Sequence, residues 1–214
     1  VDTKLSKFVG IEFLNLSRDS KAEIAPAERV YGAVPFAVRK KVIDGHINTG
    51  YLQHIALKFG GGSGTSGDYG VIDLDGVQGG GANDVEMWLN YGYTAQLIAG
   101  DDLYPIEPGN MAGPINTAVQ NRYDQCTHFP EQGGCNIHNF VPGCPRVLTC
   151  PVVEDVANKR VKIVGFAAFI LEPITDPDFV YGSFVKINTG GMASDLIKFD
   201  DEKDYGFYNV RLVK

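Results

Sequence analysis

The sequence predicts a mainly β, α+β fold: one β-rich domain, sandwich- or barrel-like, with two short helices and a disulfide-stapled loop. Three observations carry that expectation. Short β-branched and aromatic runs, such as VLTCPVV (147–153) and VKIVGFAAFIL (161–171), stand between Gly/Pro turns. Glycine supplies 26 of 214 residues, which suits many turns rather than long helices. Cys126, Cys135, Cys144 and Cys150 crowd into one Gly/Pro-rich stretch, where cross-links can order a loop that burial alone would not.

The elements follow in chain order. Residues 1–17 alternate in part, with Val9, Ile11 and Phe13 on one side and Gly10 and Glu12 on the other. Strands are expected at 34–40, 51–59 and 69–74, with a flexible glycine-rich loop at 60–67. Asn83 or Asp84 caps a short helix that carries Val85, Trp88 and Leu89 on one face. Residues 96–106 read as extended. Glu107-Pro108-Gly109-Asn110 is a turn, because Pro fixes φ while Gly and Asn tolerate the left-handed region. Gly113-Pro114 opens a second helix, where the missing proline N–H costs nothing. Ile115, Ala118, Val119, Arg122, Tyr123 and Cys126 line one face of it. Strands near 146–154, 161–171, 180–187 and 205–213 complete the chain. Nothing reads as an interdomain linker or an internal repeat.

Composition narrows the function. A chain of 214 residues with 44% hydrophobic content, 12 Phe, 10 Tyr and one Trp can bury a sizeable core as one domain. The net charge is −7, and the cations are scattered apart from Arg39-Lys40-Lys41, which read as a solvated strand end. No nucleic-acid partner is therefore expected. A bilayer span needs about 18 apolar residues. The longest apolar run, 163–171, is interrupted by Gly165 and reads as a buried strand.

No catalytic constellation emerges, and the chain is not expected to be an enzyme. The 60–67 loop lacks both a P-loop ending and a GxSxG elbow. His46, His54, His128 and His138 have no evident nucleophile or carboxylate partner. Asp101-Asp102 and Glu154-Asp155 are adjacent pairs whose side chains diverge along a strand. Asp73, Asp75 and Asp84, with Gly76 and the glycines at 79–81, are weak calcium candidates. No Glu stands at the twelfth position of an EF-hand count, so an ordinary polar loop is preferred. Asn15-Leu16-Ser17 is an N-glycosylation sequon.

The four cysteines read as two disulfides with three possible connectivities. Local closure favours Cys126–Cys135 with Cys144–Cys150. The sharper alternative is a mixed Cys/His zinc site, since Cys126-Thr127-His128 and Cys135-Asn136-Ile137-His138 set histidines beside thiols. The spacing matches no standard knuckle and holds no CxxC, so disulfides are preferred and no metal or other cofactor is expected. A CxxCH haem-attachment motif is absent.

As a text, residues 30–187 resemble the C-terminal extracytoplasmic domain of TadE/TadG-like (Tad, tight adherence) pilus-assembly proteins of Gram-positive bacteria. The matching residues are Gly92-Tyr93, Gly100-Asp101, Glu107-Pro108-Gly109-Asn110-Met111, Gly113-Pro114, Arg122 and Cys126. They continue through Cys144-Pro145-Arg146, Pro151-Val152-Val153 and IVGFAAFILE at 163–172. The resemblance implies a non-catalytic, extracellular protein of the cell surface, tied to pili or filaments. It transfers no catalytic or metal residues. Members usually begin with a basic segment and a membrane helix, which these residues lack, so Val1 is read as the product of precursor processing. Membrane contact is then expected only through a removed precursor segment.

Residues 1–29 are read as an N-terminal strand segment and a possible donor strand, and 188–214 as a strand extension of the same domain. Leu5, Phe8, Val9, Ile11, Phe13, Leu14 and Leu16 make the N-terminal segment too apolar for a free tail. It packs on its own sheet, or completes the sheet of a neighbour through Val9, Ile11, Phe13 and Leu14. Such contacts repeated head to tail build a filament. The expected function is thus a structural subunit or decorating component of a pilus-like filament, with self-association. The alternative is a monomeric surface adhesion or glycan-binding module.

Overall fold

The computed structural model describes residues 21–47, 54–58, 69–107, 111–156, 158–176, 179–192 and 204–213. Its first strands are β1 (Lys21–Pro26), β2 (Arg29–Val30), β3 (Phe36–Arg39), β4 (Ile55–Lys58), β5 (Tyr69–Val71), β6 (Leu97–Ile98) and β7 (Leu103–Pro105). Then come β8 (Val147–Val156), β9 (Arg160–Leu171), β10 (Phe179–Val185), β11 (Ile187–Met192) and β12 (Phe207–Val213). Three α-helices are described: α1 (Lys40–Ile47), α2 (Gly81–Tyr91) and α3 (Ala112–Asp124). The fold is mainly β, a curled half-barrel, in agreement with the class read from sequence.

The central element is the β8–β9 hairpin, paired antiparallel from Val147↔Ile170 to Val156↔Arg160 with an irregularity between Val152 and Val153. Asn158 and Lys159 turn its tip at positive φ. The large sheet runs β4-β10-β9-β8-β3-β5, and β7 adds to β9. Among its described strand pairs only β3 and β8 run parallel. A second sheet, β1-β12-β11, pairs strands from near both ends of the chain: β1 is antiparallel and β11 parallel to β12.

The hairpin is buried on both faces, which explains its unbroken apolar sequence in place of alternation. Ala167, Phe169 and Leu171 of β9 pack with Leu148, Cys150 and Val152 of β8 under Val85 and Leu89 of α2 and Ile115, Ala118 and Val119 of α3. Phe166, Ala168 and Ile170 face the other way, into a cluster with Trp88, Leu97, Tyr104, Phe207, Cys135 and Cys144. Complete burial of one large apolar side chain contributes about 1.5–3 kcal/mol. Phe166, Phe169 and Ile170 are each at most 2% exposed, so the hairpin anchors both layers.

Several local expectations change. The strand expected at 34–40 stops at Arg39, and α1 begins at Lys40, giving a third helix where two were expected. Arg39 is not a solvated strand end: it is 7% exposed and pairs with Asp155 at 2.7 Å. The extended stretch 96–106 divides into β6 and β7, and the strand expected at 180–187 divides at Lys186 into β10 and β11. Asn83 and Asp84 lie inside α2 rather than at its cap, which is Gly80. The strand expected within 1–17, with Val9, Ile11, Phe13 and Leu14, lies outside the described residues, as do the sequon and the glycine-rich loop at 60–67.

Candidate metal centre

The segment from the end of α3 to the start of β8 covers the second face of the hairpin. A single 3-10 turn, Pro130–Gln132, is its one helical element. Its shape comes from short-range bonds. Helix α3 ends at Asp124, which brings Cys126 to the helix terminus. Phe129 and Gly133 both take left-handed φ, reversing the chain on either side of the 3-10 turn. Asn136 then closes a tight loop, its Oδ1 accepting from the His138 and Asn139 N–H groups at 2.9 and 3.2 Å. The Cys144 N–H donates to the Val141 carbonyl at 2.9 Å, and the Val147 N–H to the Cys144 carbonyl at 2.9 Å.

These turns bring four ligand-type side chains together. The sulfurs of Cys126, Cys135 and Cys144 and a ring nitrogen of His128 all lie within 4.8 Å of one another. Cys126 Sγ is 3.8 Å from His128 Nδ1. Two backbone amides point at the sulfurs: Cys135 N–H donates to Cys126 Sγ at 3.3 Å, and Arg146 N–H to Cys144 Sγ at 3.4 Å. Burial pushes the Cys126 thiol up, but hydrogen bonds from the Cys135 amide, His128 and Cys144 outweigh it and bring it to about 6. Burial holds Cys144 up at about 12, against its bond from Arg146. Cys135 and Cys144 are buried, and Cys126 is at the half-buried rim.

Arg146 organises the cluster from behind. It is 6% exposed, and its guanidinium donates to the carbonyls of Tyr123, Gly133 and Cys135 at 3.0, 2.9 and 3.1 Å. It also lies over the Tyr123 ring at 3.5 Å from the centroid. Gly134 takes φ +102°, where other residues are strained, and a Cβ there would meet this guanidinium at 2.5 Å and displace it.

Neither expected disulfide is present in the structure. All four cysteines are free, and Cys150 belongs to a different place. It sits on β8 in the helix-covered cluster, fully buried between Leu148 and Val152 on the same face. Burial pushes its thiol well up despite the nearby Arg122 guanidinium. Cys126 and Cys135 do come together, but with Cys144 and His128 rather than as an isolated pair. His138, the other histidine considered beside these thiols, is not part of the group.

The calcium candidates are separated too. Asp73 is fully buried, with both carboxylate oxygens lacking a hydrogen-bond partner, as does Glu107 Oε2. Burial first, then the neighbouring Glu107 carboxyl, raises Asp73 to about 7. Asp75 accepts from the Val77 N–H at 2.9 Å in a local turn, and Asp84 stands apart in the first turn of α2. Asp73 thus stands buried beside the Glu107 carboxyl rather than in the ordinary polar loop expected there.

Of the adjacent acidic pairs, Glu154-Asp155 is engaged in ion pairs. Glu154 meets Lys40 at 3.7 Å and Lys162 at 3.2 Å, while Asp155 meets Arg39. They line or flank a cleft of about 250 Å³ shared with Glu28, Asp101 and Tyr205. His54 pairs with Glu172 at 2.8 Å and stacks on Tyr181, with Ser183 bridging to the same carboxylate at 3.0 Å. That histidine is 72% exposed, so the triad of polar groups ties β4 to β10 at the surface. No helix among the described residues is long and apolar enough to cross a membrane.

Sequence reasoning set His128 beside the thiols only as the alternative to disulfides, and it missed Arg146 as their support. One signal was available. In VLTCPVV, Leu148, Cys150 and Val152 occupy alternate positions of one strand, which assigns Cys150 to a core face. Three cysteines then remain, an odd number that two disulfides cannot use. Comparison with family models, with curated proteins and with solved structures finds no match to this chain.

Proposed function

We propose that this chain is a non-catalytic structural module of the cell surface that assembles with further copies into a pilus-like filament. The observation that carries this reading is the β1-β12-β11 sheet. Among the described residues strand β1 forms one edge of that sheet, and in the register of β1 with β12 Ile24 stands opposite Val210. Both are exposed, Ile24 at 53% and Val210 at 37%. The backbone of an edge strand is a template for an incoming strand, and an exposed apolar pair beside it gives that strand a surface to cover. The apolar segment at 5–16 precedes β1 directly in the chain and has the composition of such a strand. Donated to the next copy, it makes a heterologous contact that does not close. The likeness to Tad pilus-assembly proteins, carried by the motifs quoted above, points the same way.

The test is the oligomeric state of the full chain across concentration, by light scattering and negative-stain microscopy. Assembly that grows with concentration, and that is lost both on deleting residues 1–17 and in Ile24→Lys, supports the proposal. A monomer at every concentration sinks it, and retention of that monomer on a glycan array would instead favour an adhesion module.

A further inference from the structure

We propose that Cys126, His128, Cys135 and Cys144 bind one zinc ion, which cross-links the segment between α3 and β8 and so holds it folded over the hairpin beneath it. A tetrahedral centre with Zn–S near 2.3 Å and Zn–N near 2.0 Å places its ligand atoms roughly 3.4–3.8 Å apart. Four ligand atoms that all fall within 4.8 Å of one another are close to that arrangement without a metal. A disulfide would use two of the three sulfurs and leave a thiol and an imidazole pointing at the bond. Zinc uses all four. Three soft sulfurs with one imidazole also suit zinc over hard cations, which take oxygen ligands.

The surroundings match a bound thiolate. The amides of Cys135 and Arg146 donate to Cys126 Sγ and Cys144 Sγ, as hydrogen-bonding partners of metal-bound ligands do. The Arg146 guanidinium, buried behind the cluster, makes its hydrogen bonds to neutral carbonyls. A buried cation needs compensating charge. Three thiolates and a neutral imidazole on Zn²⁺ carry a net charge of −1, and Arg146 balances it. On binding, each cysteine that arrives as a thiol releases its proton to solvent, so no oxidant or reductant is needed. The site is independent of filament assembly and stands or falls on its own test.

The full chain, purified under reducing conditions and loaded with zinc, is expected to hold one zinc per chain by elemental analysis. Cobalt in its place is expected to show the intense visible bands of a tetrahedral site and sulfur-to-cobalt charge transfer. Cys126→Ser and Cys144→Ser should each weaken zinc binding by at least about tenfold, the scale on which even outer-shell changes act. His128→Cys should keep the metal with a stronger charge-transfer band, and Cys150→Ser should keep the stoichiometry. The wild-type cobalt spectrum reads the ligand set even if a serine variant fails to fold. Folded wild-type protein that takes up neither metal overturns the proposal, as does zinc retained at full affinity in the Cys126→Ser, Cys144→Ser double variant. Octahedral cobalt bands, or a disulfide among Cys126, Cys135 and Cys144 in reduced, metal-loaded protein, overturn it equally.

Discussion

Asp73 is sealed among apolar neighbours with Glu107 as its companion, and a charge there has little to stabilise it. Its folded-state value near 7 stands above the unfolded value of about 3.9, so the native state holds a proton that the unfolded chain has released. Stability is therefore fully present below about pH 4 and declines as pH rises toward 7, from this group alone. Asp73→Asn removes the titration and supplies a donor to Glu107. The variant is expected to gain about 1–3 kcal/mol at pH 8, and to lose the pH 4–7 slope in denaturant midpoints. An unchanged slope would show that another group carries it. The raised value was not legible in the sequence, where Asp73 stands in Asp73-Leu74-Asp75-Gly76 like any polar loop. Glu107 is more than thirty positions away, and only the pairing of the segments after β5 and β7, through Ile72 and Ile106, brings the two together.

At the level of elements, close approach rather than chain freedom explains Gly182. It lies on β10 opposite Leu171, and a Cβ there would strike the Ile170 carbonyl and the Phe169 ring. The backbone partner cannot move aside without breaking the β9–β10 ladder. Gly182→Ala is expected to cost about 1–3 kcal/mol, measured as a lower urea midpoint at unchanged slope; a neutral result would mean that the strands shift apart freely. The strands themselves were largely legible, because β8 and β9 are too apolar and too β-branched for a surface segment. Helix α1 was not. Lys40-Lys41-Val42-Ile43-Asp44 follows directly on the strand sequence Phe36–Arg39, with Gly45 inside it and no capping residue to mark the change. Ion pairs from Lys40 to Asp44 and to Glu154 of β8 help to hold it, and the second of these is tertiary. The cysteine segment failed for a related reason: local closure treats each pair alone, whereas His128 and Arg146 act only once α3, the 3-10 turn and β8 stand together.

For the whole molecule, the two faces of the β8–β9 hairpin are held by different means. One is covered by α2 and α3, whose backbones satisfy their own hydrogen bonds. The other is covered in part by an irregular segment that buries Cys135 and Cys144 against Phe166, Ala168 and Ile170. Without a cross-link, such a segment has too little regular structure to offset its ordering entropy. A metal supplies the link by mass action, and a free concentration about a thousandfold above Kd adds roughly 4 kcal/mol. In a domain of this size, each kcal/mol moves Tm by about 2–4 °C. Removing zinc with a chelator is therefore expected to lower Tm by roughly 10 °C under reducing conditions, with recovery on adding zinc back. Hydrogen exchange should rise first across residues 126–146 and only later in β9. A chelated protein with the same Tm and the same protection at 126–146 would mean that packing alone holds this face. The zinc staple would then have no structural role.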